Sequence, residues 1–177
     1  NKAETLTDIE KYDDAITAYW KSIQYEDDED NKKAAWINIA VLCRQQDNFK
    51  RGLECVEKAL DIDISDYDGW HFKASLLNDM NKHKQCLEAC SEAQKIDPEE
   101  SHSYLHEAES HLELGNLDKA TKAVNTAIGI NPNDPWGYWS NANILLVLDK
   151  KKDALKSIDK AIKIDPTDSF FYTKAMI

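Results

Sequence analysis

The sequence predicts an all-α chain of stacked helix–turn–helix units, a solenoid with a 34-residue period. Three observations carry that expectation. The aromatic residues Trp36, Trp70, Tyr104, Tyr138 and Tyr172 recur 34 residues apart. Two alanine series keep the same step: Ala40, Ala74, Ala108, Ala142, and Ala59, Ala93, Ala127, Ala161. The helix-ending pairs Asp97-Pro98, Asn131-Pro132 and Asp165-Pro166 keep it too. Proline lacks the amide a continuing helix needs and disfavours helix in the residue before it. A fixed period in this range marks units that bury their apolar faces only by stacking on neighbours.

The clearest unit runs from Pro135 to Pro166. Tyr138, Ala142, Leu145 and Leu148 share one face of a first helix at helical spacing. Asp149 to Lys152 make a polar turn, and Ala154, Ile158, Ala161 and Ile162 form the answering face. Ala142 and Ala161 are small, which lets the two axes come close.

The whole chain, 1–177, reads as one array. Residues 1–32 hold a partial repeat and an acidic loop. In it Ala3, Leu6 and Ile9 end a first helix, and Asp13-Asp14 open a second carrying Ala15, Tyr19 and Ser22. The five acids Glu26 to Asp30 repel one another and are expected to loop out as a solvated spacer. Full repeats follow at 33–66, 67–100, 101–134 and 135–168. Gly52 replaces the usual Ala at the start of its second helix and Ile64 replaces the terminal Pro, which predicts that the second repeat is among the softer ones, because a helical glycine costs up to ~1 kcal/mol relative to alanine. Gly115-Asn116 is the strongest local turn signal. Residues 169–177 begin a further repeat, with Tyr172 and Met176 at core positions and no second helix to cover them. The absence of a polar capping helix reads as a fragment of a longer array, and the absence of an initiator Met as a missing leader or larger upstream region.

Composition narrows the function. The formal net charge is −11, which disfavours non-specific binding to nucleic acid or anionic membrane. The charge is uneven: residues 135–177 carry 7 Lys and 5 Asp, net +2, leaving −13 on the first 134. No apolar run reaches the ~18 residues of a membrane span. Cys43, Cys55, Cys86 and Cys90 fall where other repeats place small or apolar residues and form no CxxC pair. They read as packed thiols in a reducing compartment, so the chain reads as intracellular and cytoplasmic.

The order aromatic, Ala, aliphatic, Ala, aliphatic, Ala, Pro over 34 residues resembles the tetratricopeptide repeat (TPR) family, and the resemblance covers nearly the whole chain. It implies a right-handed solenoid whose first helices line a concave groove that binds protein segments. Carried over by position, the groove would be lined by Asn38, His71, Phe72, His102, Leu105, His106, Trp136, Trp139, Asn143, Phe170 and Lys174. Glu109 and Ser140 share that wall. One subclass clamps chaperone carboxylate tails with Lys, Asn and Arg. Here Asp68 and Phe72, or Leu105 and Glu109, stand at clamp positions, and Glu4 replaces an Asn, so that clamp is not expected.

No phosphate loop, GxSxG motif or nucleophile–base pair is present, and no cofactor is called for. His106 and His111 are five apart, not the four of a zinc-protease helix, and His111 occupies the slot of Leu77 and Leu145, so it should face the core. His71, His102 and His106 would lie near one another on the inner wall, more as a polar lining than as metal ligands. The chain is therefore read as a non-catalytic interaction scaffold. Its expected partner is a protein or peptide segment, apolar or acidic-hydrophobic, meeting Leu105, Trp136, Trp139 and Phe170 near the lysine-rich end. Self-assembly through uncapped ends, the C-terminal one above all, is an alternative. A regulatory or substrate-recruiting role in a larger enzyme is another.

Overall fold

A computed structural model describes residues 2–177, with side chains from residue 11 onward. Ten α-helices and no strand are found among the described residues. The chain is built of two compact units, Asn1–Lys82 and His83–Ile177.

The first unit holds α1 (Lys2–Tyr25), α2 (Glu29–Gln45), α3 (Phe49–Ile62) and α4 (Tyr67–Asp79). Each packs on the next. The expected break at Asp13-Asp14 is absent: α1 runs through it without glycine or proline. Asp13 is used across the hairpin instead, accepting a hydrogen bond from the Gln46 amide at 3.1 Å. The buried face of α1 is Ile16, with Tyr19 and Ile23 beside it, while the expected Ser22 is exposed. Trp20 meets Trp36 edge-on at 4.7 Å. Ala3, Glu4, Leu6 and Ile9 lie outside the described side chains.

The acidic run loops out only in part. Asp28 caps α2, accepting from the amides of Asp30 and Asn31, and Glu29 and Asp30 form its first turn. Carboxylates at a helix N-terminus satisfy free amides and face the positive end of the helix dipole, which offsets their mutual repulsion. The core of this unit is Ile39, Ala40, Cys43, Cys55, Val56, Leu60 and Leu76, around Ile16. A Cβ on Gly52 would stand 3.3 Å from the Ala40 carbonyl and from the Leu76 side chain, so the glycine marks a close helix approach.

The second unit holds α5 (His83–Ile96), α6 (His102–Glu113), α7 (Leu117–Ile130), α8 (Pro135–Val147), α9 (Lys151–Ile164) and α10 (Asp168–Ala175). Successive helices pack together, and α6 also meets α8 directly. Both alanine series are buried throughout, at 1% exposure or less. Gln94 donates to Glu107 at 2.7 Å between α5 and α6, and Asn141 donates to Ser157 at 2.8 Å between α8 and α9.

The turns inside the hairpins repeat as strictly as the core. Asp47, Asn81, Gly115 and Asp149 all have φ between 56° and 74°. The following amide in each case donates to a carbonyl five residues back at 2.8 Å: Asn48 to Cys43, Lys82 to Leu77, Asn116 to His111, Lys150 to Leu145. This is the left-handed helix terminator that satisfies the last free carbonyls. The anchors also share a bond: Trp70 donates to the Ile64 carbonyl (2.8 Å), Tyr104 to that of Pro98 (3.2 Å), Tyr138 to that of Pro132 (3.1 Å).

All four cysteines are free and buried. Burial pushes the Cys55 thiol up to about 11. Contact with Cys86 at 3.9 Å, together with burial, holds Cys90 far above the usual thiol range. His111 is buried at 8% exposure, so it does face the core.

Candidate functional site

The site is built on α6 and α8, the first helices of two successive hairpins. Its position is set at the start of α8. Asp134 caps that helix by accepting from the Trp136 amide at 3.0 Å, and Pro135 fills the first helical position, where no amide is needed. Trp136 and Trp139 then stand three apart and project to the same side. Their rings meet edge-to-face, 5.5 Å between centroids at 83°.

A cavity of about 340 Å³ opens between these indoles and α6. From α6 it is lined by His102, Leu105, His106 and Glu109, and further along by Leu112 and Glu113. Across it lie Trp136, Trp139, Ser140 and Asn143 of α8. Trp136 is 46% exposed. Trp139 is half-buried against the core of α8, α9 and α10, and its indole N–H donates to Thr173 Oγ1 at 2.9 Å. That contact makes Trp139 part lining and part packing.

Two expected groove residues are elsewhere. Phe170 is fully buried, in a core with Ala142, Ala154, Ile158 and Ala161. Trp136, one period earlier, covers its ring edge-to-face at 5.1 Å, so Phe170 supports the strip from below instead of lining it. Lys174 points to α9, where it pairs with Asp159 at 2.7 Å. In the first unit, Asn38 is exposed on α2, His71 stacks on Tyr67 at 5.9 Å, and Phe72 packs against the unit's core.

The electrostatics also differ from expectation. The lysine surplus near the C-terminus points to an acidic-hydrophobic partner. The described lining contains no lysine or arginine, and its carboxylates are Glu109 and Glu113. Lys160 lies over the Tyr138 ring, and Lys156 pairs with Asp153. Leu112 and Glu113 escape a count that stops five residues past the anchor; the i, i+4 step from Glu109 to Glu113 and the i, i+7 step from Leu105 to Leu112 would find them. No group of three His, Cys, Asp or Glu side chains suited to a metal occurs among the described residues.

The tetratricopeptide repeat model matches residues 34–63, 67–100 and 101–134. The chain belongs to the tetratricopeptide repeat family. Solved structures agree on the TPR fold. A thermophilic TPR protein of Thermus thermophilus is 17% identical with a TM-score of 0.79, over 97% of this chain and 93% of that one. YrrB, a TPR protein with an unusual peptide-binding site, is 17% identical with a TM-score of 0.68, over 99% of this chain and 89% of that one. A chain of the APC/C hetero-tetramer Cut9–Hcn1 is 13% identical with a TM-score of 0.83, over 93% of this chain and 33% of that one. No curated protein sequence matches the TPR chain. No described helix of it is long and apolar enough to cross a membrane.

Proposed function

We propose that this TPR chain is a non-catalytic protein-interaction module and that the α6–α8 cavity takes an apolar side chain of an extended partner segment. The observation that supports it is the half-exposed Trp136 beside Leu105 and Trp139 at the mouth of a 340 Å³ cavity. Large aromatics in such positions are enriched among the residues that dominate interface energy. YrrB, described as having a peptide-binding site, shares the fold.

Panning a random-peptide library on the folded chain tests this. Selected peptides should slow amide exchange in α6 and α8. Trp136→Ala should weaken them by more than ~2 kcal/mol, about thirtyfold. Trp139 is the poorer probe, since its removal also breaks the Thr173 bond. Peptides that protect other helices, or that bind the variant normally, would remove the support.

A second reading rests on α10. Phe171, Tyr172 and Met176 are 48%, 70% and 68% exposed. A second copy of the chain would cover them, and sedimentation that stays monomeric at high concentration would rule this out.

A further inference from the structure

We propose that the segment held between α6 and α8 carries a cationic side chain, arginine above lysine, next to its apolar anchor. This deepens the groove reading and rests on it.

Charge complementarity is the argument. Glu109 and Glu113 line the cavity from α6, four residues apart on one helix edge. Two carboxylates on one edge of a cavity favour a cation over an anion beside them. The indoles of Trp136 and Trp139 form the opposite wall at 83° to each other. An indole face attracts a cation through its quadrupole, and the planar guanidinium both stacks there and bonds carboxylates in pairs. The cavity thus has two indoles on one side and, on the other, the two carboxylates beside His102 and His106. Lys174, which would have favoured an acidic ligand, is held by Asp159 on α9. The chain's overall charge of −11 draws a basic segment at long range as well.

Three short acetylated, amidated peptides with a common Leu-Leu centre, flanked by Arg, Gln or Glu, provide the probes. Titration calorimetry at low salt should rank them Arg, then Gln, then Glu. The Arg peptide should bind about tenfold tighter than the Gln peptide, the scale of one exposed cation–π contact plus a screened ion pair. Glu109→Gln with Glu113→Gln should abolish the Arg-over-Gln preference while keeping the helical signal. Glu113→Lys should move the preference toward the Glu peptide. If Arg and Gln peptides bind equally, or the Glu peptide binds best, and both lose affinity in Trp136→Ala, the cationic proposal falls and the groove reading stands. If no peptide binds, or binding survives Trp136→Ala, both fall.

Discussion

Replacing Phe170 by alanine separates a packing role from a ligand-contacting one. The ring is fully buried among Ala142, Ala154, Ile158 and Ala161, with Trp136 edge-on at 5.1 Å. Deleting a buried Phe side chain costs ~3–5 kcal/mol, of which the aromatic pair accounts for roughly 0.5–1.5. The loss has a ceiling. Helix α10 has 8 residues and is held by Phe170, by Thr173 accepting from Trp139 and by the Lys174–Asp159 pair. Once that docking energy is gone, α10 detaches while α5 to α9 stay folded, because each element of a repeat fold leans only on its neighbours. Hydrogen exchange read helix by helix shows this directly. Amides of α10 should exchange more than about a hundredfold faster, the equivalent of ~3 kcal/mol, or reach the unprotected rate. Those of α6 and α7 should change little. Trp136→Ala, which removes a half-exposed ring, should speed α10 exchange far less. Unchanged α10 exchange in Phe170→Ala, with peptide binding lost, would refute the packing assignment and return Phe170 to the groove.

Other outcomes follow from the same packing. Ala108→Leu overpacks a fully buried position and should cost ~1–3 kcal/mol in urea unfolding, with α6 to α8 loosening first in hydrogen exchange. Asp149→Gly relieves a φ of 57° and should hold or raise the melting temperature, whereas Gly115→Ala at φ 74° should lower it by the equivalent of ~1 kcal/mol. Burial depresses His111 below its ordinary 6.5, opposed in part by Glu107 at 3.8 Å. The unfolded chain therefore binds the proton first. Stability contributed by neutral His111 is complete above 6.5 and declines as pH falls from there toward the depressed folded value. His111→Leu, the residue at positions 77 and 145, should flatten that part of the denaturation-against-pH curve; an unchanged slope would count against it.

The helices were legible because period and packing are one signal: a residue repeated every 34 positions must repeat its environment. Alanines at the close contacts, cysteines in aliphatic slots and His111 at a leucine position could all be placed by register. Register fails where an environment is not repeated. Phe170 and Trp136 are equivalent by count, yet one is buried and the other covers it. The direction of Lys174 depends on Asp159, on another helix, and the cavity's carboxylates on how α6 and α8 meet. At the N-terminus the failure was local: Asp13-Asp14 looks like a cap, but nothing else in α1 stops the helix.

The bond from Trp70, Tyr104 and Tyr138 to the carbonyl six residues before each makes the aromatic side chain a ruler for the linker. Trp70, Tyr104 and Tyr138 use different rings, yet each delivers its single donor to the same place. Tryptophan and tyrosine are thus exchangeable there in a way phenylalanine is not. One residue added to or removed from 65–66, 99–100 or 133–134 would carry the carbonyl out of reach. Spacing between hairpins is metered by a side chain, so drift in linker length is penalised even where the linker touches no core.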